Sequence, residues 1–451
     1  MSTTVDETVY PDQLPIPRGP KLITSIGPGL VLAMTFLGTG DLISSSTQGT
    51  NYGYTLLWAF VLALVARVFI ISSIAKYTLM NRFGDTQILE GFGRLAKWLP
   101  GVMAVVVLIA GFVTQATFVK ASAQGLYQMT GGSWGGGWGI LVCGLVTVGA
   151  ALYILSRKKA FTILEYVARF AAVAMILAYL VALVKIGHID LVGLLKGLFT
   201  FQTPAEQTGA FAPLLLLGTT VGTIAGNMPN LLYSGFMRDK GWVGPKYRRL
   251  QQLDLVSGML PLLIINMLFW IVAAEYARGG SIELNTADDL SRMMSTLLGP
   301  AGSFLLWLAI FGAAMTSFPP QARGFAQLAL NGFHLSAPSG RQWLGRDEED
   351  PKFRWVQIGL FTLVPIISCV PGAPDLVVLS VLGTALSTVL SLPIIVVALF
   401  VLTSFKRYMY AYAVNRLWQT ILLGILGVVA LVVGAQILVE LPGEFVKALG
   451  G

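Results

Sequence analysis

The sequence predicts an all-α integral membrane protein with about eleven transmembrane helices. Hydrophobic side chains make up 55% of the 451 residues and charged side chains only 12%, whereas a soluble domain carries about 25% charged residues. The mean hydropathy is +0.73, which a single buried core does not explain, because a soluble globule of this size keeps a polar surface. This composition excludes a disordered chain, a disulfide scaffold and a soluble enzyme.

Eleven apolar runs are long enough for a helix that crosses the hydrocarbon of a bilayer, which needs about 20 residues. They cover residues 24–50, 54–80, 99–123, 137–155, 161–185, 209–237, 253–277, 300–331, 354–371, 375–403 and 418–440. We therefore predict one transmembrane domain over 23–440, with an N-terminal tail at 1–22 and a C-terminal tail at 441–451. The first tail is polar and acidic, so we expect no secretory signal.

Basic residues are concentrated in alternate loops, which predicts the orientation in the membrane. One set of loops carries Arg18, Lys21, Arg82, Arg94, Lys97, Arg157, Lys158, Lys159, Arg238, Lys240, Lys246, Arg248, Arg249, Arg341, Arg346, Lys352, Arg354, Lys406, Arg407 and Arg416. The other set carries Lys185, Lys196, Arg278, Arg292 and Lys447. This imbalance of roughly four to one places the N-terminus in the cytoplasm and, with an odd number of spans, the C-terminus outside the plasma membrane. These loops explain the net charge of +8, so we expect no nucleic-acid partner.

Two of the eleven runs are interrupted by residues that disfavour a continuous helix. In the first, Gly38-Thr39-Gly40-Asp41 precedes a polar stretch with Ser44, and in the sixth, Gly218 to Gly222 leads to Ala225-Gly226-Asn227-Met228-Pro229-Asn230. Such residues leave backbone N–H and C=O groups that lipid cannot hydrogen-bond. A kink or close packing at glycine would explain either one alone. They are the first and the sixth of the predicted helices, so they hold the same position in two halves of five helices each. This correspondence favours an inverted-repeat transporter with its site at the membrane midplane.

Two stretches resemble the Nramp family of metal-ion transporters. They are Tyr52-Gly53-Tyr54-Thr55-Leu56-Leu57-Trp58 after the first run and Met228-Pro229 in the sixth. The resemblance covers Gly27 to about Val439 and implies the LeuT-type fold, with five plus five helices in inverted repeat and one additional helix. Repeat one would cover about 24–185, repeat two about 209–403, and the additional helix 418–440.

The residues that bind metal in Nramp proteins are altered in this sequence. The family has Asp-Pro-Gly-Asn in the first break, where its acid and amide bind the ion, and this chain has Gly38-Thr39-Gly40-Asp41. The family motif Met-Pro-His becomes Met228-Pro229-Asn230, so the proton-titrating histidine is absent. The acidic residues of the family's third helix are also missing, and Lys120 is the only ionisable residue between 113 and 126. Three altered features together imply a changed substrate.

Ionisable residues near the middle of a span are rare, costly and often functional. In this sequence they are Asp41, Arg67, Lys120, Glu165 and Arg169. Glu165 and Arg169 are one helical turn apart, so we expect a local ion pair. Arg67 and Lys120 have no obvious local partner, and each either pairs with Asp41 or lines a pathway.

The leading hypothesis from the sequence is a secondary-active transporter of a small inorganic anion, bicarbonate first, that works by alternating access. One Asp, one Met and a few carbonyl groups are a weak site for a bare divalent cation, whereas helix N-termini and neutral donors suit an anion. The altered site resembles most a bacterial branch of the Nramp superfamily associated with bicarbonate. The expected substrate-binding residues are Gly38, Thr39, Gly40, Asp41, Ser44, Ala225, Gly226, Asn227, Met228 and Asn230. Asp41 would couple transport to H⁺ or Na⁺, with Arg67 and Lys120 as coupling or pathway residues.

Two further hypotheses stay open. The second is a transporter of a divalent metal cation (Mn²⁺, Fe²⁺ or Mg²⁺), bound by Asp41, Ala225, Met228 and Asn230. The third is a non-transporting membrane sensor on the same scaffold. We expect no enzyme, since no catalytic motif is present, and no cofactor besides a coupling ion. The expected partners are the lipid bilayer and a small inorganic ion, and the sequence does not determine the oligomeric state.

A short acidic string and two histidines remain outside these hypotheses. Asp347-Glu348-Glu349-Asp350 is interpreted as a solvated cytoplasmic loop, with a regulatory ion site as the weaker alternative. His188 and His334 lie in or near loops and show no spacing typical of metal ligands.

Overall fold

The computed structural model describes residues 39–156, 173, 176–204, 213–222, 225, 228–278 and 286–448, most of which are helical. In chain order the helices are α1 (Thr39–Tyr52), α2 (Leu57–Met80), α3 (Ile88–Leu95), α4 (Leu99–Met129), α5 (Gly139–Ser156), α6 (Ile176–Ile186), α7 (Leu191–Phe199), α8 (Pro213–Val221), α9 (Leu232–Asp239), α10 (Arg248–Arg278), α11 (Ala287–Leu298), α12 (Pro300–Ser336), α13 (Pro351–Arg354), α14 (Leu376–Ser404) and α15 (Leu417–Ala448). Among the residues singled out above, Gly38, Glu165, Arg169, Gly226 and Asn227 lie outside the described residues, as do the side chains of residues 39–44.

Seven of the described helices are long and apolar enough to cross a bilayer, namely α2, α4, α5, α10, α12, α14 and α15. Each of them coincides with a predicted run, which confirms the predicted fold class. Helix α15 continues to Ala448, so it extends past the predicted limit at 440. The helices α3, α7 and α11 have 8, 9 and 12 residues, too few to cross the hydrocarbon, and they lie in the connections.

The other predicted runs differ from simple α-helices. The first is described from Thr39 onward, and Thr39–Tyr52 is helical. Of the predicted interruption Gly38-Thr39-Gly40-Asp41, the last three residues therefore lie within a helix. The fifth is described only at 173 and in α6. The ninth begins as α13 and continues as a π-helix over Trp355–Leu363 and a 3₁₀-helix over Val364–Cys369. Pro365 has no N–H to donate, which prevents a regular α-helical ladder at this point.

Helices α4 and α12 form the most extensive helix pair in the described structure. Glycines bring the two backbones together. A Cβ at Gly125 would lie 3.0 Å from the Trp307 carbonyl oxygen, and a Cβ at Gly332 would overlap the Pro100 carbonyl oxygen. Small residues at helix contacts are typical of membrane bundles, where close packing holds the helices together in place of the hydrophobic effect.

The connections between the helices gather at two ends of the bundle. The basic end consists of residues 81–98, 238–249, 337–350 and 405–416, and the opposite end of residues 53–56, 128–138, 187–204, 286–299 and 370–375. At the basic end, the Gly101 N–H donates to the Ser336 hydroxyl at 2.7 Å. At the opposite end, the Gln128 side-chain amide donates to Asp288 at 3.0 Å.

The outer helices α5 and α15 carry large apolar side chains on their exposed faces. Leu145 and Val146 on α5 and Val428 and Leu431 on α15 are all more than half exposed. A soluble protein rarely leaves such continuous apolar surface uncovered. Lipid covers this surface in a bilayer, so it is the lipid-facing side of the bundle.

Candidate functional site

The sixth run is interrupted, as predicted, between α8 and α9. Ala225 lies in the wider turn of a π-helix, and Met228–Leu231 forms a 3₁₀ turn directly before α9. Pro229 has no N–H, which breaks the α-helical ladder at this point. Ala225, Met228 and Asn230 are 3%, 0% and 1% exposed, so protein and not lipid encloses the interruption.

The side chain of Asn230 folds back on this interruption. Its Nδ2 donates a hydrogen bond to the Ala225 carbonyl oxygen at 3.0 Å, while its Oδ1 is buried and has no hydrogen-bond partner among the residues that the structure describes. This bond fixes which way the amide points, because exchanging N and O would set two oxygens against each other. In the described part of the interruption, the side-chain donor of Asn230 is therefore in use and its acceptor is left over.

Helices from both halves of the chain surround the interruption. A Cβ at Gly222 would overlap the hydroxyl of Thr388 on α14, and this hydroxyl donates to the Thr384 carbonyl oxygen at 2.7 Å. Helices α2, α4 and α14 all contact the 3₁₀ turn Met228–Leu231. The sequence requires glycine at 222 because α14 leaves no room for a side chain.

The described part of the first helix is joined to its neighbours by uncharged side chains. Gln48 Nε2 donates to the Thr220 hydroxyl on α8 at 2.6 Å, and the Ser45 hydroxyl donates to Asn266 Oδ1 on α10 at 3.1 Å. All four side chains are buried. A Cβ at Gly49 would lie 2.6 Å from the Trp270 carbonyl oxygen, so α1 and α10 are also in close backbone contact.

The structure places the predicted site residues in two groups. Ala225, Met228 and Asn230 meet at the interruption of the sixth helix. Thr39, Gly40, Asp41 and Ser44 lie along α1, which reaches the same region through Gln48 and its contact with α8.

The two cations Arg67 and Lys120 are both buried in the bundle. Lys120 Nζ donates to the carbonyl oxygens of Ala373, at 3.2 Å, and of Pro374. These carbonyls belong to the connection before α14, at the opposite end. Lys120 therefore holds α4 to this connection. Arg67 is completely enclosed on α2, so it does not face lipid.

A comparison with protein families shows to which family the chain belongs. A family model described as natural resistance-associated macrophage protein-like (Nramp) matches residues 29–440. The chain belongs to the Nramp family.

Relatives of this Nramp protein are bacterial transporters. The divalent metal cation transporter MntH of Deinococcus radiodurans is 26% identical over 335 residues, which are 71% of this chain and 72% of the relative. MntH of Caldanaerobacter subterraneus is 22% identical and spans 94% of this chain and 95% of the relative.

Solved structures share the fold of this Nramp protein. The manganese transporter of Eremococcus coleocola superimposes with a TM-score of 0.70 at 18% identity, over 97% of both chains. MhsT in complex with L-phenylalanine gives a TM-score of 0.59 at 14% identity, over 92% of this chain and 98% of that one. The predicted LeuT-type fold is confirmed, and the chain is an integral membrane transporter of the Nramp family.

The sequence-based list covered ionisable residues near the middle of a span and so did not include two acids at the ends of the seventh predicted run. Asp254 and Glu275 both lie on α10, in the predicted run 253–277, and both are buried. The Tyr233 hydroxyl donates to Asp254 Oδ2 at 2.9 Å. A carboxylate inside an apolar run is itself a signal of a polar partner on another helix, and that signal was available from the sequence.

Glu275 joins three segments at the opposite end of the bundle. Its Oε1 accepts from the Tyr54 hydroxyl at 2.6 Å and from the Asp190 N–H at 2.8 Å, and Arg278 lies 3.5 Å from its Oε2. Burial, followed by the hydrogen bond to Glu275, raises the pKa of Tyr54 above its ordinary value. This cluster holds the turn after α1 and the start of α7 on the end of α10.

Proposed function

We propose that this Nramp protein carries a divalent metal cation by secondary-active, alternating-access transport, which is the second of the three hypotheses from the sequence. The proposal rests on the buried, unpaired Asn230 Oδ1 beside the Ala225 carbonyl oxygen. Two oxygen acceptors with the thioether of Met228 suit a borderline divalent cation. The relative from Deinococcus radiodurans, named a divalent metal cation transporter, supports the same substrate class.

Bicarbonate fits this arrangement less well. An anion needs hydrogen-bond donors, and Asn230 Nδ2, the side-chain donor in the described part of the interruption, is bonded to Ala225. A buried acceptor without a partner costs about 1–3 kcal/mol. A bound cation offsets this cost directly, whereas bicarbonate has a single hydroxyl to donate and its other oxygens need donors of their own.

Asp41 completes the proposed site with a negative charge. The family has its acid at the position of Gly38, and this chain has an acid three residues later, on α1. A carboxylate there would neutralise part of the charge of a divalent cation. By exchanging a proton or binding Na⁺, it would also couple the transport of the metal to the movement of H⁺ or Na⁺. We place the basic end in the cytoplasm, following the distribution of Lys and Arg.

The test is uptake of Mn²⁺ and of labelled bicarbonate, measured side by side in proteoliposomes. We expect Mn²⁺ uptake by the native chain. Asn230→Leu keeps the branched shape of the side chain but removes the acceptor, so it should lower uptake at limiting Mn²⁺ roughly 5- to 150-fold, the equivalent of about 1–3 kcal/mol.

Gln128→Leu is the matched control, because it also removes a side-chain amide but at the opposite end of the bundle. Its Mn²⁺ uptake should equal that of the native chain. Bicarbonate uptake without Mn²⁺ uptake would reject the proposal and return the anion hypothesis to first place.

A further inference from the structure

A second cluster of ligand-type side chains lies at the basic end, where α12 finishes. Asn331 and His334 are three residues apart on α12 and therefore share a face. The connection after α12 folds back and brings Asp347 and Asp350 to the same face. The four residues are 0%, 4%, 1% and 6% exposed, in chain order. The acidic string was interpreted as solvated, and the burial of its first and last members corrects this interpretation.

Each ring nitrogen of His334 faces a carboxylate. Nδ1 lies 3.0 Å from Asp347 Oδ1, and Nε2 lies 2.8 Å from Asp350 Oδ2. A neutral imidazole has one N–H, so it satisfies only one of these contacts. The other contact needs either a second proton on the ring or a cation between the nitrogen and the carboxylate.

The amide of Asn331 contacts the same carboxylate. Its Nδ2 lies 3.4 and 3.5 Å from the two oxygens of Asp347, longer than the usual hydrogen bond of about 2.9–3.0 Å. Its Oδ1 is buried and has no hydrogen-bond partner among the described residues. Rotating the amide by half a turn exchanges the two atoms without moving any other group. In that second orientation an amide oxygen faces a carboxylate oxygen, an arrangement that a cation between them would stabilise.

The two contacts of Asp347 have the spacing of metal ligands. Ligand atoms bound to one metal at about 2.0–2.2 Å are about 3.0–3.5 Å apart in octahedral or tetrahedral coordination. The contacts from Asp347 to His334 and to Asn331 measure 3.0 and 3.4 Å.

The charges of the acidic string agree with a divalent ion. The acids at positions 348 and 349 each face an arginine, at 2.6 and 3.5 Å. Asp347 and Asp350 then remain as two buried negative charges. An imidazolium would balance one of them, and a divalent cation bound to neutral His334 balances both. Buried charge without compensation is costly.

We propose that Asn331 Oδ1, His334 Nδ1 and Asp347 bind one divalent first-row transition-metal cation. In this site the Nε2–H of His334 donates to Asp350, the arrangement in which a carboxylate orients a histidine that binds metal. One imidazole, one carboxylate and one amide oxygen suit Mn²⁺, Fe²⁺ or Zn²⁺ better than Ca²⁺. The site shares no residue with the proposed transport site.

A bound ion would attach the connection 337–350 to the end of α12. This connection leads directly into α13, which begins at Pro351 and starts the ninth predicted run. Metal at the basic end would thus stabilise the arrangement of α12 and α13, independently of whether the transport site is occupied.

Pulsed electron paramagnetic resonance of the purified full-length protein with Mn²⁺ tests this proposal. The sequence contains two histidines, His188 and His334, so an imidazole ¹⁴N coupling to Mn²⁺ has only two sources. We expect this coupling in the native chain, its loss in His334→Gln and its persistence in His188→Gln. Asp350→Asn keeps all three ligands and should weaken the nitrogen-coupled site about 10- to 100-fold.

Two results would overturn the proposal. One is native protein saturated with Mn²⁺ without nitrogen coupling, and the other is coupling that survives His334→Gln. Asn230→Leu separates this site from the transport site, because it should keep the nitrogen-coupled signal while losing uptake. The milder Asp350→Asn provides the test if His334→Gln does not fold.

Discussion

Lys120 illustrates how a buried charge in the membrane is satisfied by the chain itself. Its ammonium group donates to two main-chain carbonyl oxygens, of Ala373 and Pro374. The sequence offered two alternatives for this residue, a partner in Asp41 or a place on a pathway. The contacts show a structural role between α4 and the connection before α14, and the place on a pathway stays a prediction.

Lys120→Met should therefore act on stability. It removes a charged donor from two half-buried carbonyl groups, at a cost of about 1.5–3 kcal/mol, so the midpoint of thermal unfolding in detergent should fall. Mn²⁺ uptake should keep its KM.

Lys97→Met is the control, since Lys97 is exposed and its replacement should leave the midpoint unchanged. A changed KM for Lys120→Met with an unchanged midpoint would assign Lys120 to the transport pathway.

The residues of the candidate site were predictable to the extent that they lie in one motif. Ala225, Met228 and Asn230 stand together in the sixth run, where glycine and proline mark the interruption. The direction of the Asn230 amide was not predictable, because it depends on a turn that only the folded backbone makes. Glu275 was missed because its partners come from separate segments of the chain.

Short helices at the ends of the bundle fix how the long helices are connected. Asp190 caps the N-terminus of α7. Its Oδ1 accepts from the Gly193 N–H at 2.8 Å, and its Oδ2 lies 2.8 Å from Arg278. The Gly193 N–H, and then Arg278, lower the pKa of Asp190 below its ordinary value of 3.8. Helices of 8 to 12 residues escape a search for apolar runs because they cover the bundle with only one face.

The protection of α7 should depend on pH with a definite sign. Because the pKa of Asp190 is lowered in the folded state, its carboxylate stabilises the start of α7 above pH 3.8. This contribution is lost as the pH falls through the lowered pKa. Hydrogen exchange should show protection factors of residues 191–199 that decrease below about pH 3.8.

Asp190→Asn supplies the comparison, since asparagine also caps a helix but does not ionise. Its protection factors should be lower above pH 3.8 and independent of pH in this range. Equal pH dependence in both proteins would assign the effect to another group.

The whole bundle depends on the close approach of α4 and α12. Run lengths in the sequence identified both helices, since each has far more than 20 largely apolar residues. The sequence did not indicate that they are neighbours, because Gly332 meets Pro100 only after the chain has crossed the membrane several times. Glycine content alone does not identify such contacts, since Gly149 on α5 has open space around it.

Gly332→Val should destabilise the bundle, because its Cβ overlaps the backbone of Pro100 and one helix must move. Overpacking of this kind costs about 1–3 kcal/mol, which would appear as a lower midpoint of thermal unfolding and less monodisperse protein.

The same change at Gly149 is the control, since a side chain there meets no atom within 4 Å. Gly149→Val should leave the midpoint almost unchanged. Equal losses at both positions would mean that the helix propensity of valine, and not the contact with α4, causes the effect.

The contacts of α1 with α8 and α10 have an electrical consequence. Gln48, Thr220, Ser45 and Asn266 carry no charge, and a voltage across the membrane does work only on charge that moves through it. Separating these four side chains during the transport cycle would therefore contribute no gating current of its own.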